Sequence, residues 1–479
     1  MKLRLTIILI WVGLISLLIA RNAFIPKFDT DVATVLAKAS EESFYGIWFQ
    51  DKRIGYVENR IHEAGEGVFS LDQRAHLRLN ILKQTQQIEM NLKANLDPRQ
   101  RLQDFTFSFQ SPFYSMETRG TVEGEAISFV TNTGGDQHRE TIVLPEVPFV
   151  STNHRAYLLS PVPEPGRKIK LPFFDPLTLS SRDTIVAYVG KEKVLIKKRI
   201  YQLHHFESHY SGVRINFWLD ENGKVIKEES PAGFVFLAEP EFKARDIQDG
   251  EQGLLRAVAV PYSGHLPSAS NPMQIDYRIE VPSGVALDLN GGRQQYEKGI
   301  LRITHEKVNF ETGTSSGGEG CGDLTAALPS RYVQSDHPAI TVLAQTIISD
   351  NGDDFQKIKQ LASWVYANID KRPVIGLPDA LATLHSRVGD CNEHAALFAA
   401  LARSLGIPTR VVAGVTLHQD RFYYHAWNEV CVDANWISLD TTKDQIPSDL
   451  THIRLVSGDL EEQVRIGALL GKLRIEIIQ

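Results

Sequence analysis

The stretch from Gly389 to Asp440 restricts what this chain can fold into more than any other. It opens Gly389-Asp390-Cys391-Asn392-Glu393-His394, continues as an apolar helix, and stops at Gly406-Ile407-Pro408. Asp390 and Glu393, three positions apart, form a capping-box signature, and Ala395, Phe398, Ala399, Ala402 and Leu405 recur at helical spacing. Gly406 suits the left-handed position after the last turn, and Pro408 prevents further helix. Cys391 therefore sits in the first helical turn, where free N–H groups and the positive end of the helix dipole favour a thiolate. The carboxylates of Asp390 and Glu393 work against this, so the thiol needs a base.

His425 supplies one. Tyr423 to Val432 alternates as a strand with His425, Trp427 and Glu429 on one face, and Trp436 to Asp440 reads as the next strand. A hairpin turn between Val432 and Asp433 sets His425 opposite Asp440. The most turn-like residues, Asp433-Ala434-Asn435, sit slightly later, so that register needs a bulge or a longer loop. In this arrangement Cys391 attacks an amide carbonyl, His425 acts first as base and then as acid, and Asp440 fixes the imidazole. The Cys391 backbone N–H is one oxyanion donor. Plainer readings compete. A cysteine before an apolar helix is commonly a small buried hydrophobe, and a lone strand histidine is commonly structural. Trp427 and Trp436 read as core aromatics of the hairpin, with Trp427 near enough to His425 to wall the site. A thiol at a helix start, an imidazole and a carboxylate within about fifty residues bring the catalytic reading level with the plain ones.

Gly389-Asp390-Cys391-Asn392-Glu393-His394, the run Ala400 to Val411, His425-Ala426-Trp427-Asn428-Glu429-Val430 and Trp436-Ile437-Ser438-Leu439-Asp440-Thr441-Thr442 resemble the transglutaminase-like superfamily. The likeness is nearest to its bacterial, envelope-associated members and covers roughly Pro329 to Gly471. It implies a papain-like α/β core and a catalytic triad on Cys391, His425 and Asp440. It also implies cleavage or transfer of peptide or glutamine-type amides through a thioester, with a protein or peptide as substrate. A proline commonly follows the final aspartate in this family; Thr441 stands here instead. The family includes cross-linking transferases, peptidases, amidases and inactive members. A catalytically inactive envelope binding or scaffold protein is therefore the alternative.

The remainder of the chain sets the context. Its 479 residues, 43% hydrophobic and 23% charged, suffice for several folded domains. A net charge of −7 with no basic excess argues against nucleic acid as a partner. Three cysteines are too few for a disulfide framework. With Cys391 kept free, Cys321 and Cys431 are left over, and spacing does not decide whether they pair. Lys2 and Arg4 precede the apolar run Leu5 to Ala20, and no small-x-small cleavage site follows. Residues 1–25 are thus expected to be an uncleaved signal anchor, a single pass of the cytoplasmic membrane with the body on the extracytoplasmic (periplasmic) side. A cleaved export signal is the alternative, and a short helix from Asp29 to Ala39 is expected to follow.

The fold class reads as α+β. Residues 40–250 form a large antiparallel all-β domain, a sandwich or curved sheet. Ile88, Met90, Leu92, Ala94 and Leu96 alternate with polar residues, Phe105, Phe107 and Phe109 repeat the pattern, and Asn222-Gly223 marks a hairpin. The proline-rich break at Pro161 to Gly166 suggests two sheets. A small β segment (255–312) and a Gly-rich linker or flap (313–327) lead to the catalytic domain (328–479). That domain is expected to carry helices at His337–Ser349, Asp354–Ile369 and Leu460–Leu470, and to close with a strand from Lys472 to Ile478. No cofactor or metal is expected. Strand alternation splits His204 from His205, which leaves His209 and Glu207 short of a ligand set, and Cys391 with His394 lacks further ligands.

Overall fold

In the computed structural model the described residues are 25–27 and 40–478. Excepted are 50, 66, 82–83, 145, 151–154, 156–157, 160–162, 211–212, 248–257, 268–271, 283–284, 307–320, 323 and 349–351. The expected anchor and the helix after it lie almost wholly outside the described residues, as does most of the Gly-rich linker. Among the described residues no helix is long and apolar enough to cross a membrane.

The molecule is mostly antiparallel β, and its longer helices gather in the C-terminal part. The expected division at the proline-rich break is corrected. Strands from Ser40–Phe49 to Phe234–Ala238 form one continuous 14-stranded sheet. The first eight strands run as a meander in one direction, the other six as a meander in the other, and the first strand pairs with the last. That joint, with Tyr45 opposite Ala238 and Phe49 opposite Phe234, is what local turn signals cannot reveal. The edge strand Lys168–Asp175 carries Pro172, which lacks a donor for a further partner. The alternating strand is seen at Gln84–Leu96, where Ala94, Leu92 and Met90 lie opposite Phe105, Phe107 and Phe109. Their buried face also packs on Tyr332 and Leu377 from the C-terminal part. Gln86 Nε2 donates to Pro373 O across 2.8 Å, so the chain that leads to Cys391 rests on this sheet.

The C-terminal part contains a four-stranded sheet in the order Asn435–Leu439, Arg421–Val432, Thr409–His418, Ile453–Ser457. Helices Pro338–Ile347, Asp354–Asn368, Ala380–Ser386 and Cys391–Ser404 share one apolar core with it. The helix expected from Leu460 to Leu470 is a short α-turn, Leu460–Gln463, followed by a 3-10 turn, Val464–Leu469. The final strand, Arg474–Ile477, does not complete the catalytic sheet. It joins a separate five-stranded sheet beside Gln274–Glu280, with Ile477 opposite Tyr277.

That second sheet braces the first. Arg454, buried in the strand after Asp440, donates to the backbone oxygens of Asp288, Asn290 and Gly291. It also pairs with Glu429 at 2.9 Å. Arg293 donates to the carbonyls of Ser448 and His452 at 2.6 and 3.1 Å, which pins the loop that follows the aspartate strand. Cys321 and Cys431, whose pairing the spacing left open, form a disulfide, so the end of the Gly-rich segment is tied to the histidine strand.

Candidate active site

Cys391 is the first residue of the helix Cys391–Ser404, and the capping box on Asp390 and Glu393 is formed. A Cβ on Gly389 would lie 2.5 Å from Glu393 Cβ, so only glycine lets the capping glutamate fold back so closely. The Asn428 amide donates to Ala395 O at 3.0 Å and fixes the helix to the histidine strand. The backbone N–H of Ala426, the residue after His425, donates to the Cys391 sulfur.

The hairpin turns where the residues are most turn-like, without a bulge. Val432 pairs with Asn435, and Asp433 and Ala434 take φ of 48° and 61°, the double left-handed turn that matches strand twist. The expected direct pairing of His425 with Asp440 is therefore corrected: the ladder ends at Asn428 opposite Leu439. Asp440 lies just past the strand, bridged to Gln445, and its side chain reaches back. His425 Nε2 donates to Asp440 Oδ2 at 2.8 Å. The other carboxylate oxygen accepts from Thr442 N and Oγ1 at 2.8 and 2.6 Å.

A fourth residue completes this arrangement, one that no motif in the sequence singles out. His452 Nε2 donates to the same Asp440 Oδ2 at 3.1 Å, while its Nδ1 faces Asp449 Oδ1 at 3.0 Å. His452 is fully buried, and its ring meets Trp427 edge-on, with centroids 5.2 Å apart. Trp427 in turn stacks beside His425. The only signal in the sequence was Asp449 three positions before His452, a spacing that means little until the loop is folded.

Burial pushes Asp440 up, but the hydrogen bonds from His425 and His452 outweigh it and hold the carboxyl well below the usual carboxylate range. Burial pulls His425 down, with Asp440 opposing, so the ring is neutral near pH 7. With Nε2 donating to Asp440, the lone pair falls on Nδ1. Burial, then the Asp390 charge, pushes the Cys391 thiol well up; the Ala426 amide only partly offsets this. The expectation that the flanking acids offset the helix start and leave the thiol in need of a base agrees with this direction, and burial adds to it. No direct thiol–imidazole hydrogen bond joins Cys391 to His425 among the described contacts. His394, buried, donates from Nδ1 to Asp390 O across 2.7 Å.

His425, Asp440 and His452 place one ligand atom each within 4.8 Å of one another, a spacing that the shared hydrogen bonds already account for. His204 meets Tyr188 Oη and His205 meets Asn216 Oδ1, on opposite faces of their strand.

Residues 341–441 match the family model of the transglutaminase-like superfamily, so this stretch carries a transglutaminase-like core. Cys391, His425 and Asp440 fall inside the match and His452 outside it. At the level of the family this supports a cysteine-type enzyme. No curated protein matches the chain. Among solved structures, a candidate cysteine protease from Cytophaga hutchinsonii is similar at 20% identity, over 45% of this chain and 81% of its own, with a TM-score of 0.29. A β-barrel-like protein of a domain of unknown function from Brucella abortus aligns at 12% identity over 42% of this chain and 95% of its own, TM-score 0.32. A candidate protease from Parabacteroides distasonis aligns at 10% identity over 73% and 68%, TM-score 0.23. With TM-scores this low, none of the three bears on the chemistry.

Proposed function

We propose that the chain is a cysteine acyl-transfer enzyme that cleaves or exchanges a peptide or glutamine-type amide through a thioester on Cys391. The observation that carries this reading is the hydrogen bond by which Asp440 orients His425, together with a thiol at the helix start. In the reacting complex His425 Nδ1 takes the thiol proton as the sulfur attacks the amide carbon. The C–N bond then breaks, the imidazolium returns the proton to the leaving amine, and a thioester remains. Water or an amine resolves it. The Cys391 N–H, at the head of the helix, is placed to donate to the developing oxyanion. Because the resting thiol is neutral, deprotonation belongs to the reaction and not to a standing ion pair. The substrate of this reading is a protein or peptide.

One observation favours the inactive alternative: the same upward push on the thiol. Cys391→Ala separates the two readings. Loss of amide turnover and of labelling by a thiol-directed electrophile supports the enzyme, whereas undiminished turnover refutes it. We place the body outside the cytoplasmic membrane, held by the N-terminal segment. The Cys321–Cys431 disulfide supports an oxidising compartment. Recovery of full-length chain, still bearing Met1, from the cytosol would refute this.

A further inference from the structure

A cavity that Cys391 does not line opens between the large sheet and the start of the C-terminal part. It has a volume of about 530 Å³ and is walled by the strands Ala126–Thr133 and Asp136–Val143, the segment Pro329 to Pro338, and Asp379. That volume is ordinary for a small-molecule site. Its walls hold an unusual share of polar atoms that satisfy no partner: Tyr114 Oη, Thr133 Oγ1, His138 Nε2, Ser330 Oγ, Tyr332 Oη and Gln334 Oε1. Tyr114, Thr133, Tyr332 and Gln334 are each more than nine-tenths buried. Tyr114 leans toward Thr133 and Tyr332 toward the Arg331 guanidinium, without reaching hydrogen-bond geometry. Buried polar groups are seldom left unpaired, because each costs free energy in the empty protein. A concentration of them on one cavity wall marks a ligand's place.

The same wall says what kind of ligand. Its charges are already engaged: half-buried Arg331 grips the more exposed Glu140 at 2.6 and 2.9 Å, and buried Asp379 accepts from Gln334 Nε2 at 2.9 Å and Ala382 N at 2.8 Å. Arg139 and Asp336, of opposite sign, are exposed at the margin. The atoms left over are four hydroxyls, an amide oxygen and an imidazole nitrogen. Hydroxyls serve as donor or acceptor at will, which complements a ligand that is itself rich in hydroxyls. Met116, Phe129 and Leu179 supply the apolar part of the wall, with the Arg331 guanidinium over the Phe129 ring. We infer that this cavity binds a neutral polyhydroxylated ligand of one or two sugar rings. A phosphorylated or carboxylated ligand would meet no unpaired cation in the buried wall.

The test is calorimetry and saturation-transfer NMR on the full chain with glucose, N-acetylglucosamine, cellobiose and diacetylchitobiose, and glucose 6-phosphate as charged comparator. The double variant Tyr114→Phe with Tyr332→Phe removes two orphan hydroxyls and keeps both rings. At least one neutral sugar is expected to bind, with affinity falling about ten-fold or more in the double variant and unchanged in Cys391→Ala. Thermal melting checks that the double variant is folded. Binding by none of the four sugars overturns the inference. So does affinity that survives both substitutions, or tighter binding of glucose 6-phosphate than of glucose.

Discussion

Two buried aspartates, each 1% exposed, sit at the centres of two polar clusters that behave in opposite ways. Around Asp440 both oxygens are occupied, by two histidines on one side and by Thr442 on the other, and the carboxyl is held well below its ordinary range. Around Asp379 the partners are an amide and the helix backbone, burial prevails, and the carboxyl is pushed up. Six side-chain atoms lining the cavity beside it have no partner. Burial alone does not set the charge of an acid. The donors at hydrogen-bond distance from the carboxylate decide the sign, and a saturated shell distinguishes a group built to hold one geometry from a wall that awaits a ligand.

The contrast breaks most easily at Asp440. Asp440→Asn keeps the shape but lets His425 adopt the wrong tautomer, and amide turnover is expected to fall by roughly a thousand-fold or more, with melting changed far less. Turnover within ten-fold of wild type would show that the orientation of His425 does not matter. Next comes His452→Leu, which strips one of the two histidines from a buried carboxylate. A loss of about 3 kcal/mol in stability by denaturant titration is expected. The pH dependence has a definite sign. A depressed carboxyl contributes stability above its unfolded value of about 3.9, and this is lost as pH falls through the folded value. With His452 removed the depression shrinks, so acid unfolding should begin at higher pH than in wild type. An unchanged acid limb would mean that His452 carries no share of the Asp440 shift.

Gly414→Ala probes the packing behind the site. A Cβ there would lie 1.9 Å from Ile453 O and 3.0 Å from Trp427, forcing the strand that follows His452 outward. The expected cost is about 2 kcal/mol, read by thermal melting. Asp379→Asn gives the counterpart of the acid test. A carboxyl raised by burial stabilises the fold at low pH and loses that contribution as pH rises through its folded value. The amide has no charge to bury, so the variant should gain stability relative to wild type at pH 8 and lose that advantage at pH 4. The smallest effect belongs to Tyr332→Phe, which deletes an unpaired hydroxyl: melting should stay within about 0.5 kcal/mol of wild type or rise. A loss as large as that of His452→Leu would erase the distinction between the two clusters.

The parts of this molecule that announce themselves in sequence are the local ones. The capping box before Cys391, the alternation of Ile88 to Leu96 and the Asn222-Gly223 turn all depend on residues a few positions apart, and each forms. What escaped depended on long closures. Ser40–Phe49 meets Phe234–Ala238 across most of the sheet, Cys321 finds Cys431 across 110 residues, and the C-terminal strand leaves its own domain for Gln274–Glu280. Asp440 was legible as a residue type but not as a position, because it acts from beyond the strand end instead of within the ladder. His452 was hidden for the same reason, since only the loop pinned by Arg293 brings it under the aspartate. For the thiol, the opposing helix start and flanking acids were legible in sequence, whereas burial, the largest influence on it, was not.

The central claim is that Cys391 rests as a neutral thiol and is deprotonated only in the reacting complex. The alkylation rate of Cys391 by iodoacetamide, followed by mass spectrometry from pH 5 to pH 10, tests it without knowledge of the substrate. The rate should climb throughout the alkaline range, with its midpoint above the value of about 8.5 of a free cysteine. A plateau reached below pH 7 would reveal a standing thiolate and contradict the account.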